Sequence, residues 1–505
     1  MNEIRIGLDV GTTAIKAAAY RADGTCVARA ERGNKVLRTG PGQAEQDMEQ
    51  VWQGALACLA DIAKSCAGDV VQSLGVCGQG DGLWAMDAQG RPVGNAMLWS
   101  DTRAAADLDG LVEAGATDAI GIGSGTALWP GTSAMLWRWL NAQGGDAVAR
   151  IATVFTCADW IGYRLTGQVA TDMSNGSIPF IDLDARAYND DQFSSVGCEG
   201  LKTRLATPRR ASETLGGLTA EVARGAGLPE GLPVSVGTLD LAAMIVGMGL
   251  DQPGQTMLIM GTTAVVNILT DTSDRVPVPV GASALHATSD AIIRILAPST
   301  GAAAFDWFTQ LHPKSLGGDT PAEVAAKLNA LVETVPVGAN GVTFLPYLNG
   351  ERAPFVAADI TAGFHGMRSD TTKADLGRAV MEGTAMSLRH CFESHSGLPS
   401  EPVQLTGGGS RNTVWCQIIA DIIGQDVVVS AQSDQGLWGA ACLGAAAAGL
   451  GAAIELACRE EATTTYTADP ANHAAYCDVY RRYETISTAM RRLQKELNSV
   501  KDPTP

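Results

Sequence analysis

Residues 4–20 of the chain read IRIGLDVGTTAIKAAAY, and they carry its clearest structural signal. Residues 4–10 form an apolar run that only two charged residues interrupt, which is typical of a buried strand. Gly11-Thr12-Thr13 then turns the chain, and residues 15–20 form a second apolar run. This stretch therefore predicts a β-hairpin with a short polar turn.

The same turn occurs a second time, about half a chain later. Residues 11–14 read GTTA, residues 261–264 read GTTA again, and the second copy also lies between apolar runs, at 257–260 and 265–269. A repeated hairpin at this spacing predicts two related lobes, each contributing one turn to a central cleft. We place these lobes at residues 1–246 and 247–505.

Short strands and helices alternate along the rest of the chain. Residues 47–66 have apolar positions at helical spacing, with Asp47 as a candidate N-cap. Residues 413–423 place their apolar side chains on one helical face and stop at a glycine. A longer amphipathic helix is predicted at 472–497. The alternation predicts an α/β fold.

Composition excludes several kinds of partner. The 36 basic residues against 54 acidic ones give a formal charge of −18, which argues against a general nucleic-acid or anionic-membrane binder. No apolar stretch reaches the ~18 residues of a membrane helix, and the N-terminus lacks a signal pattern, so we expect a cytoplasmic protein. The 11 cysteines are scattered without a CxxC pair, which argues against a disulfide framework or zinc site.

Two glycine-threonine turns could bind phosphate. Glycine lets the backbone approach a ligand closely, successive N–H groups form an anion-binding concavity, and threonine hydroxyls add donors. One such turn alone is more often a plain hairpin turn, but two copies favour a nucleotide. The P-loop pattern is absent, and residues 121–126 only approach the dinucleotide fingerprint, so a dehydrogenase is a weak alternative.

Two aspartates follow apolar runs. Asp9 precedes the first turn, where a lone carboxylate is costly unless it meets a cation such as Mg²⁺, which bridges phosphates. Asp240 ends a predicted strand at 233–240 and could supply the base for phosphoryl transfer to an alcohol. The alternative for each is a capping or turn carboxylate.

Several motifs, in this order, resemble the FGGY family of carbohydrate kinases over nearly the whole chain. The family belongs to the two-lobed actin/hexokinase-like (ribonuclease H-like) ATPase fold. The matching stretches are residues 7–13, 78–82, 98–103, 159–167, 237–240, 260–263, 345–354 and 407–412. The resemblance implies that the chain uses ATP and Mg²⁺ to phosphorylate a small sugar or polyol on a hydroxyl.

The resemblance also implies individual roles. Asp240 matches the catalytic base, and Asp9, with Asp240, would place the metal of Mg-ATP. The residues that would hold ATP are Gly11, Thr12, Thr13, Gly261, Thr262, Thr263, Gly408, Gly409 and Asn412. Those that would hold the acceptor are Gln79, Asp81, Trp99, Asp101, Arg103, Trp129 and Asp240.

One departure from the family concerns the acceptor. Residues 78–82 read GQGDG, whereas xylulose kinases of the family typically carry a GQMHG-like loop. Asp81 offers only acceptor atoms, which suits a substrate with hydroxyl donors, and the loop resembles that of erythritol kinases. The sequence thus favours an erythritol-like polyol and leaves a pentulose such as xylulose or ribulose open.

Two further alternatives remain on the same fold. They are a non-catalytic sugar sensor, against which the presence of Asp9 and Asp240 speaks, and a chaperone-type ATPase, which would turn over ATP without sugar. A homodimer is open by analogy with the family alone.

Overall fold

The computed structural model describes residues 2–272, 276, 279–311, 320–432, 434–459 and 462–500. The chain divides into two compact units. The first comprises Met1–Pro253, Thr270–Ile293 and Asp434–Glu460, and the second Gly254–Leu269, Arg294–Ser433 and Glu461–Pro505. The division into functional lobes after residue 246 stays a prediction.

Strands and helices alternate in both units, as the sequence predicts. The strands, numbered in chain order, are β1 (Glu3–Val10), β2 (Ala14–Tyr20), β3 (Cys26–Gly33), β4 (Glu45–Gln46), β5 (Val70–Gly78), β6 (Trp84–Met86), β7 (Ala96–Met97), β8 (Thr153–Phe155), β9 (Thr171–Asp172), β10 (Ile181–Asp182), β11 (Ala187–Tyr188), β12 (Pro208–Arg209), β13 (Thr214–Gly217), β14 (Pro233–Ser235), β15 (Thr238–Leu239), β16 (Thr256–Met260), β17 (Ala264–Thr270), β18 (Ala282–Leu285), β19 (Ile292–Leu296), β20 (Thr343–Leu345), β21 (Gly363–His365), β22 (Val403–Thr406), β23 (Val427–Ser430) and β24 (Thr463–Tyr466).

The helices, numbered in the same way, are α1 (Met48–Ser65), α2 (Ala105–Glu113), α3 (Asp118–Ser124), α4 (Ser133–Gln143), α5 (Asp146–Arg150), α6 (Cys157–Thr166), α7 (Met173–Ser177), α8 (Asp190–Ser195), α9 (Glu199–Lys202), α10 (Ala220–Ala226), α11 (Asp240–Gly247), α12 (Ala303–Leu311), α13 (Pro321–Val332), α14 (Lys373–His395), α15 (Thr413–Ile423), α16 (Gln435–Ala447), α17 (Ala453–Ala457) and α18 (Pro470–Val500). No helix in the described part of the chain combines the length and apolarity of a membrane span.

The first predicted hairpin forms the middle of the sheet of the first unit. β1 and β2 pair antiparallel with Val10 opposite Ile15, and the Gly11 N–H donates to the Ala14 carbonyl at 3.0 Å. The sheet has the order β13-β14-β5-β1-β2-β3. The apolar side chains of β1 are completely buried, which explains why this strand reads as a continuous apolar run.

The second predicted hairpin occupies the same place in the sheet of the second unit. β16 and β17 pair with Met260 opposite Ala264, and the sheet continues through β22, β23 and β24. In both sheets the first hairpin strand pairs in parallel with a central strand, β5 or β22. A further parallel strand and an antiparallel edge strand follow in each. This shared pattern supports the predicted internal repeat.

Helix ends lie where the sequence carries capping signals. The Asp47 carboxylate accepts the Glu49 and Gln50 N–H groups and starts α1, and α15 ends at Gly424, whose φ is 76°. α18 extends a few residues beyond the predicted 472–497 at both ends.

The continuous strand predicted at 233–240 is wrong. β14 ends at Ser235, β15 has only two residues, and Asp240 is the first residue of α11. Gly237 causes the break: its φ is +84°, and a Cβ there would lie 2.7 Å from the Val76 carbonyl oxygen. Asp240 therefore stands at a strand-to-helix junction and not at a simple strand tip.

Glycines let α16 pack closely on the centre of the first sheet. A Cβ at Gly7 of β1 would overlap the Leu437 carbonyl oxygen, and one at Gly75 of β5 would overlap that of Ala440. α16 also contacts α11, which begins with Asp240. Part of the total of 58 glycines therefore serves helix-on-sheet packing.

Candidate active site

Three neighbouring strands of the first unit bring predicted site residues to one edge of the sheet. β1 and β15 both pair in parallel with β5, and Cys77 of β5 lies opposite Asp9 on one side and Thr238 on the other. Residues 79–82 follow β5, and Asp240 follows β15. The carboxyl ends of parallel strands are where α/β proteins build their sites.

The carboxyls of Asp9 and Asp240 are both perturbed. Burial, followed by the charge of Asp240, raises the pKa of Asp9 to about 7. Burial also raises the pKa of Asp240 to about 6, although its Oδ1 accepts the Leu241 N–H at 2.7 Å. The Oδ1 of Asp9 is buried without a hydrogen-bond partner among the described residues. This pair can hold a cation or a proton.

A closed ring of hydrogen bonds fixes the first glycine-threonine turn. The Thr12 hydroxyl donates to Gln79 Oε1 at 2.8 Å, and Gln79 Nε2 donates to Gln46 Oε1 at 2.7 Å. Gln46 Nε2 completes the ring by donating to the Thr12 carbonyl at 2.8 Å. Sequence reasoning missed Gln46, whose only local signal is its position just before the α1 N-cap, although it is completely buried.

Two tryptophans extend this ring. Trp99 Nε1 donates to the Thr12 hydroxyl oxygen at 3.1 Å, and Trp129 Nε1 donates to the Trp99 carbonyl at 3.2 Å. Trp99 is 41 % exposed, so part of its ring faces solvent beside the turn. The structure therefore brings Thr12, Gln79, Trp99 and Trp129 together and sets an apolar ring next to polar groups, a combination typical of small-molecule sites.

Asp101 and Arg103 bind each other. Arg103 Nε and Nη2 donate to the two Asp101 oxygens at 2.9 and 2.7 Å, and Nη2 also donates to Glu45 at 2.6 Å. The Asp101 carboxylate further accepts the Ala44 N–H at 2.7 Å. These contacts tie two loops of the first unit together. A direct contact of either residue with an acceptor stays a prediction.

Asp81 offers a buried polar group. Its φ is +54°, a left-handed conformation that aspartate tolerates better than most residues, and its Oδ1 is buried without a partner in the described structure. Burial and the charge of Asp240 raise its pKa well above the usual range. Asp81 lines a cavity of about 30 Å³ together with Asn175, whose Oδ1 is also unpartnered. Sequence reasoning missed Asn175.

The second unit carries the other turn. Thr262 is exposed at its tip, and the backbone of the next loop supports it: the Ala302 N–H donates to the Gly261 carbonyl at 2.7 Å, and the Gly301 N–H to the Thr262 carbonyl at 3.0 Å. A Cβ at Gly301 would lie 2.5 Å from the Thr263 carbonyl carbon. The glycine-alanine run at 301–304 was the available signal for this support, and sequence reasoning missed it.

The glycine loop after β22 lies against the same hairpin. Gly407 has a φ of +92°, and a Cβ at Gly407 or Gly409 would lie 2.7 or 2.8 Å from atoms of Met260. Gly408 is exposed with open space beside it. Asn412 Oδ1 accepts the Trp415 N–H at 3.2 Å and caps α15. An open backbone at this loop lets a ligand approach without meeting a side chain.

Comparison with known proteins gives one consistent family. The sequence model for the N-terminal domain of the FGGY family of carbohydrate kinases matches residues 4–247, and that for the C-terminal domain matches residues 256–448. The chain is 28 % identical to the erythritol kinase of Brucella abortus (strain 2308), over 99 % of this chain and 97 % of that protein. It is 31 % identical to the xylulose kinase of Escherichia coli (strain K12), over 85 % of this chain and 87 % of that protein.

Solved structures agree with this result. The structure of a xylulose kinase from Rhodospirillum rubrum matches with a TM-score of 0.88 at 25 % identity and covers 97 % of this chain and 100 % of that one. A Brucella ovis structure described as a xyloylose kinase matches with a TM-score of 0.85 at 26 % identity, with the same coverage.

Proposed function

The chain belongs to the FGGY family of carbohydrate kinases, phosphotransferases with an alcohol group as acceptor, and we propose that it transfers the γ-phosphoryl group of ATP to a hydroxyl of a small C4–C5 polyol or ketose. The observation that carries this proposal is the pair Asp9 and Asp240 at the ends of β1 and β15, on either side of β5, with burial raising the pKa of both. A cytoplasmic location and a homodimer stay predictions.

Asp240 acts as the base. Its carboxylate takes the proton of the acceptor hydroxyl while that oxygen forms a bond to the γ-phosphorus, and the bond from the γ-phosphorus to the bridging oxygen of ADP breaks. A pKa of about 6 leaves Asp240 ionised at neutral pH while making it a stronger base than an ordinary aspartate.

The residues present fit a magnesium ion. Asp9 has a buried oxygen without a described partner, and a hard carboxylate oxygen is what Mg²⁺ binds. We propose that Asp9 would hold the ion with ATP, while a contact of Asp240 with the metal, which the resemblance implies, stays a prediction because its carboxylate is assigned to the proton. When bound, the ion supplies neutralisation of the phosphate charge.

The two turns and the glycine loop would hold ATP. In the first unit the resemblance assigns Gly11–Thr13 to the phosphates, and in the second unit it assigns Gly261–Thr263 to the phosphates and Gly408, Gly409 and Asn412 to the adenosine. Thr13 and Thr262 are exposed. The Thr12 hydroxyl already donates to Gln79, so its proposed contribution is through the backbone.

Asp81 supports an erythritol-like polyol as the favoured acceptor. Its buried oxygen has no described partner, so a hydroxyl of the acceptor can satisfy it, and the loop at 78–82 that carries Asp81 resembles that of erythritol kinases. The second candidate is a pentulose, which the xylulose kinase relatives support.

An ADP-release assay with erythritol, glycerol, and both enantiomers of xylulose and ribulose tests the substrate. We expect the highest kcat/KM for erythritol or a related polyol. A preference for a pentulose by tenfold, about 1.4 kcal/mol, would contradict the argument from Asp81.

The Asp240→Asn variant tests the mechanism. Asparagine keeps the shape but cannot take the proton, so kcat should fall by about 10²- to 10⁴-fold. Acceptor binding measured by calorimetry serves as the control and should persist. Turnover close to that of the unmodified protein would show that Asp240 is not the base.

A further inference from the structure

Asp172 is a buried carboxylate of the first unit that uses both of its oxygens. It is completely buried between β9 and α7. Its Oδ1 accepts from the Asn175 backbone N–H at 3.2 Å and from Asn175 Nδ2 at 2.6 Å. Its Oδ2 accepts from the Ser174 N–H at 3.0 Å and from the Thr238 hydroxyl at 2.6 Å.

The bond to Thr238 differs from the other three. The Ser174 and Asn175 bonds are local and cap the short helix α7, whereas Thr238 lies 66 residues away on β15. Thr238 is also completely buried, and only Leu239 separates it from Asp240. A hydrogen bond from a hydroxyl to a buried carboxylate is short, and it is among the stronger hydrogen bonds in proteins.

β15 needs such a support. It has two residues, pairs with β5 only through Thr238 and Leu239, and is separated from β14 by the turn at Gly237. A two-residue strand has few ladder bonds to fix its position. The side-chain bond to Asp172 adds an anchor two residues before the base.

We propose that Asp172 is a positioning residue for phosphoryl transfer, holding Thr238 so that Asp240 meets the acceptor hydroxyl. The inference rests on the role proposed above for Asp240. A base displaced by about 1 Å can cost as much as 10²-fold in rate, whereas the residues proposed to bind ATP lie on other loops. Loss of the anchor should therefore lower kcat and leave the KM for ATP unchanged.

Paired substitutions at Thr238 test this without introducing a charge change. Thr238→Val keeps the shape and removes the hydroxyl, and should lower kcat by about 10- to 100-fold with the KM for ATP unchanged. Thr238→Ser keeps the hydroxyl and should retain most of the activity. Thr166→Val is the matched control, because the Thr166 hydroxyl is also buried but donates within its own helix, to the Gly162 carbonyl.

Asp172→Asn gives an independent test. An asparagine with its Oδ1 toward Asn175 sets Nδ2 against the Ser174 N–H, a donor facing a donor, and replaces the bond from Thr238 to a carboxylate with a weaker contact from Nδ2 to the Thr238 hydroxyl oxygen. We expect a loss of kcat in the same direction, with the KM for ATP unchanged. If this variant does not fold, the Thr238 pair still decides the question.

Two results would overturn the proposal. One is a Thr238→Val kcat within about twofold of the Thr166→Val control, and the other is an equal loss in Thr238→Ser and Thr238→Val, which would assign the effect to packing. Asp240→Asn separates this failure from that of the proposed function. Full activity of Asp240→Asn would contradict the role of Asp240 as the base. An inactive Asp240→Asn variant together with a fully active Thr238→Val variant would contradict only the positioning role of Asp172.

Discussion

At the scale of single residues, the first unit keeps carboxyls in places that cost stability. Burial raises the pKa of Asp9, Asp81 and Asp240, and two of the three have an oxygen without a described partner. Ionising such groups opposes folding, since the unfolded chain solvates them fully. A fold tolerates this where the same groups bind a cation, a hydroxyl or a proton during function.

The pH dependence of kcat/KM follows from Asp240. The base works only when it is ionised, and its pKa is about 6, so activity should be on a plateau above pH 7. Below pH 6 we expect kcat/KM to fall by about tenfold per unit, because protonation removes the base. The measurement is kcat/KM for the acceptor between pH 5 and 8.5 at saturating ATP and Mg²⁺, since a bound cation would keep the Asp9 carboxylate ionised.

The residual activity of Asp240→Asn is the control for this profile. The kcat/KM of this variant should not show the fall below pH 6. The coupling enzymes of the assay are checked at each pH with added ADP. A flat profile of the unmodified protein from pH 5 to 8 would contradict a base with this pKa.

At the scale of elements, the site depends on α16 lying close to β1 and β5. Gly75→Ala should lower the free energy of unfolding by at least about 2 kcal/mol, because the added Cβ overlaps the Ala440 carbonyl, which is backbone and cannot rotate away. Activity should fall too, since β5 leads into the loop at 79–82. Urea unfolding and a standard assay measure the two effects.

Gly33→Ala is the matched control, a glycine at the end of β3 with open space around its Cβ position and no positive φ. It should leave both stability and activity nearly unchanged. Equal stability of the two alanine variants would show that α16 does not need the close approach.

Elements with local signals could be predicted from the sequence, and those held by distant contacts could not. Both hairpins and the bounds of α15 are confirmed, because apolar runs and a final glycine are neighbours in sequence. The break at Gly237 depends on the carbonyl of Val76, on another strand. Residues 233–240 alone could not show it.

The same limit applies to the candidate site. Asp9 and Asp240 stand out in the sequence as acids after apolar runs, and the structure places them on either side of β5. Gln46 and Asp172 carry no such signal. Their partners, Gln79 and Thr238, are 33 and 66 residues away, so only the folded chain reveals the contacts.

At the scale of the whole molecule, the formal charge of −18 opposes the approach of an anionic nucleotide. The Debye length falls from about 30 Å at 0.01 M salt to about 8 Å at 0.15 M, so added salt screens the distant charges but not contacts within the site. We therefore expect kcat/KM for ATP, at fixed free Mg²⁺, to rise about two- to fivefold over this range.

A polyol acceptor is uncharged, so its own kcat/KM at saturating ATP should not change and provides the internal control. A steep fall of kcat/KM for ATP over the same range would show instead that a local basic surface attracts the nucleotide, and the proposal that backbone N–H groups and Mg²⁺ shield the phosphates would then be wrong.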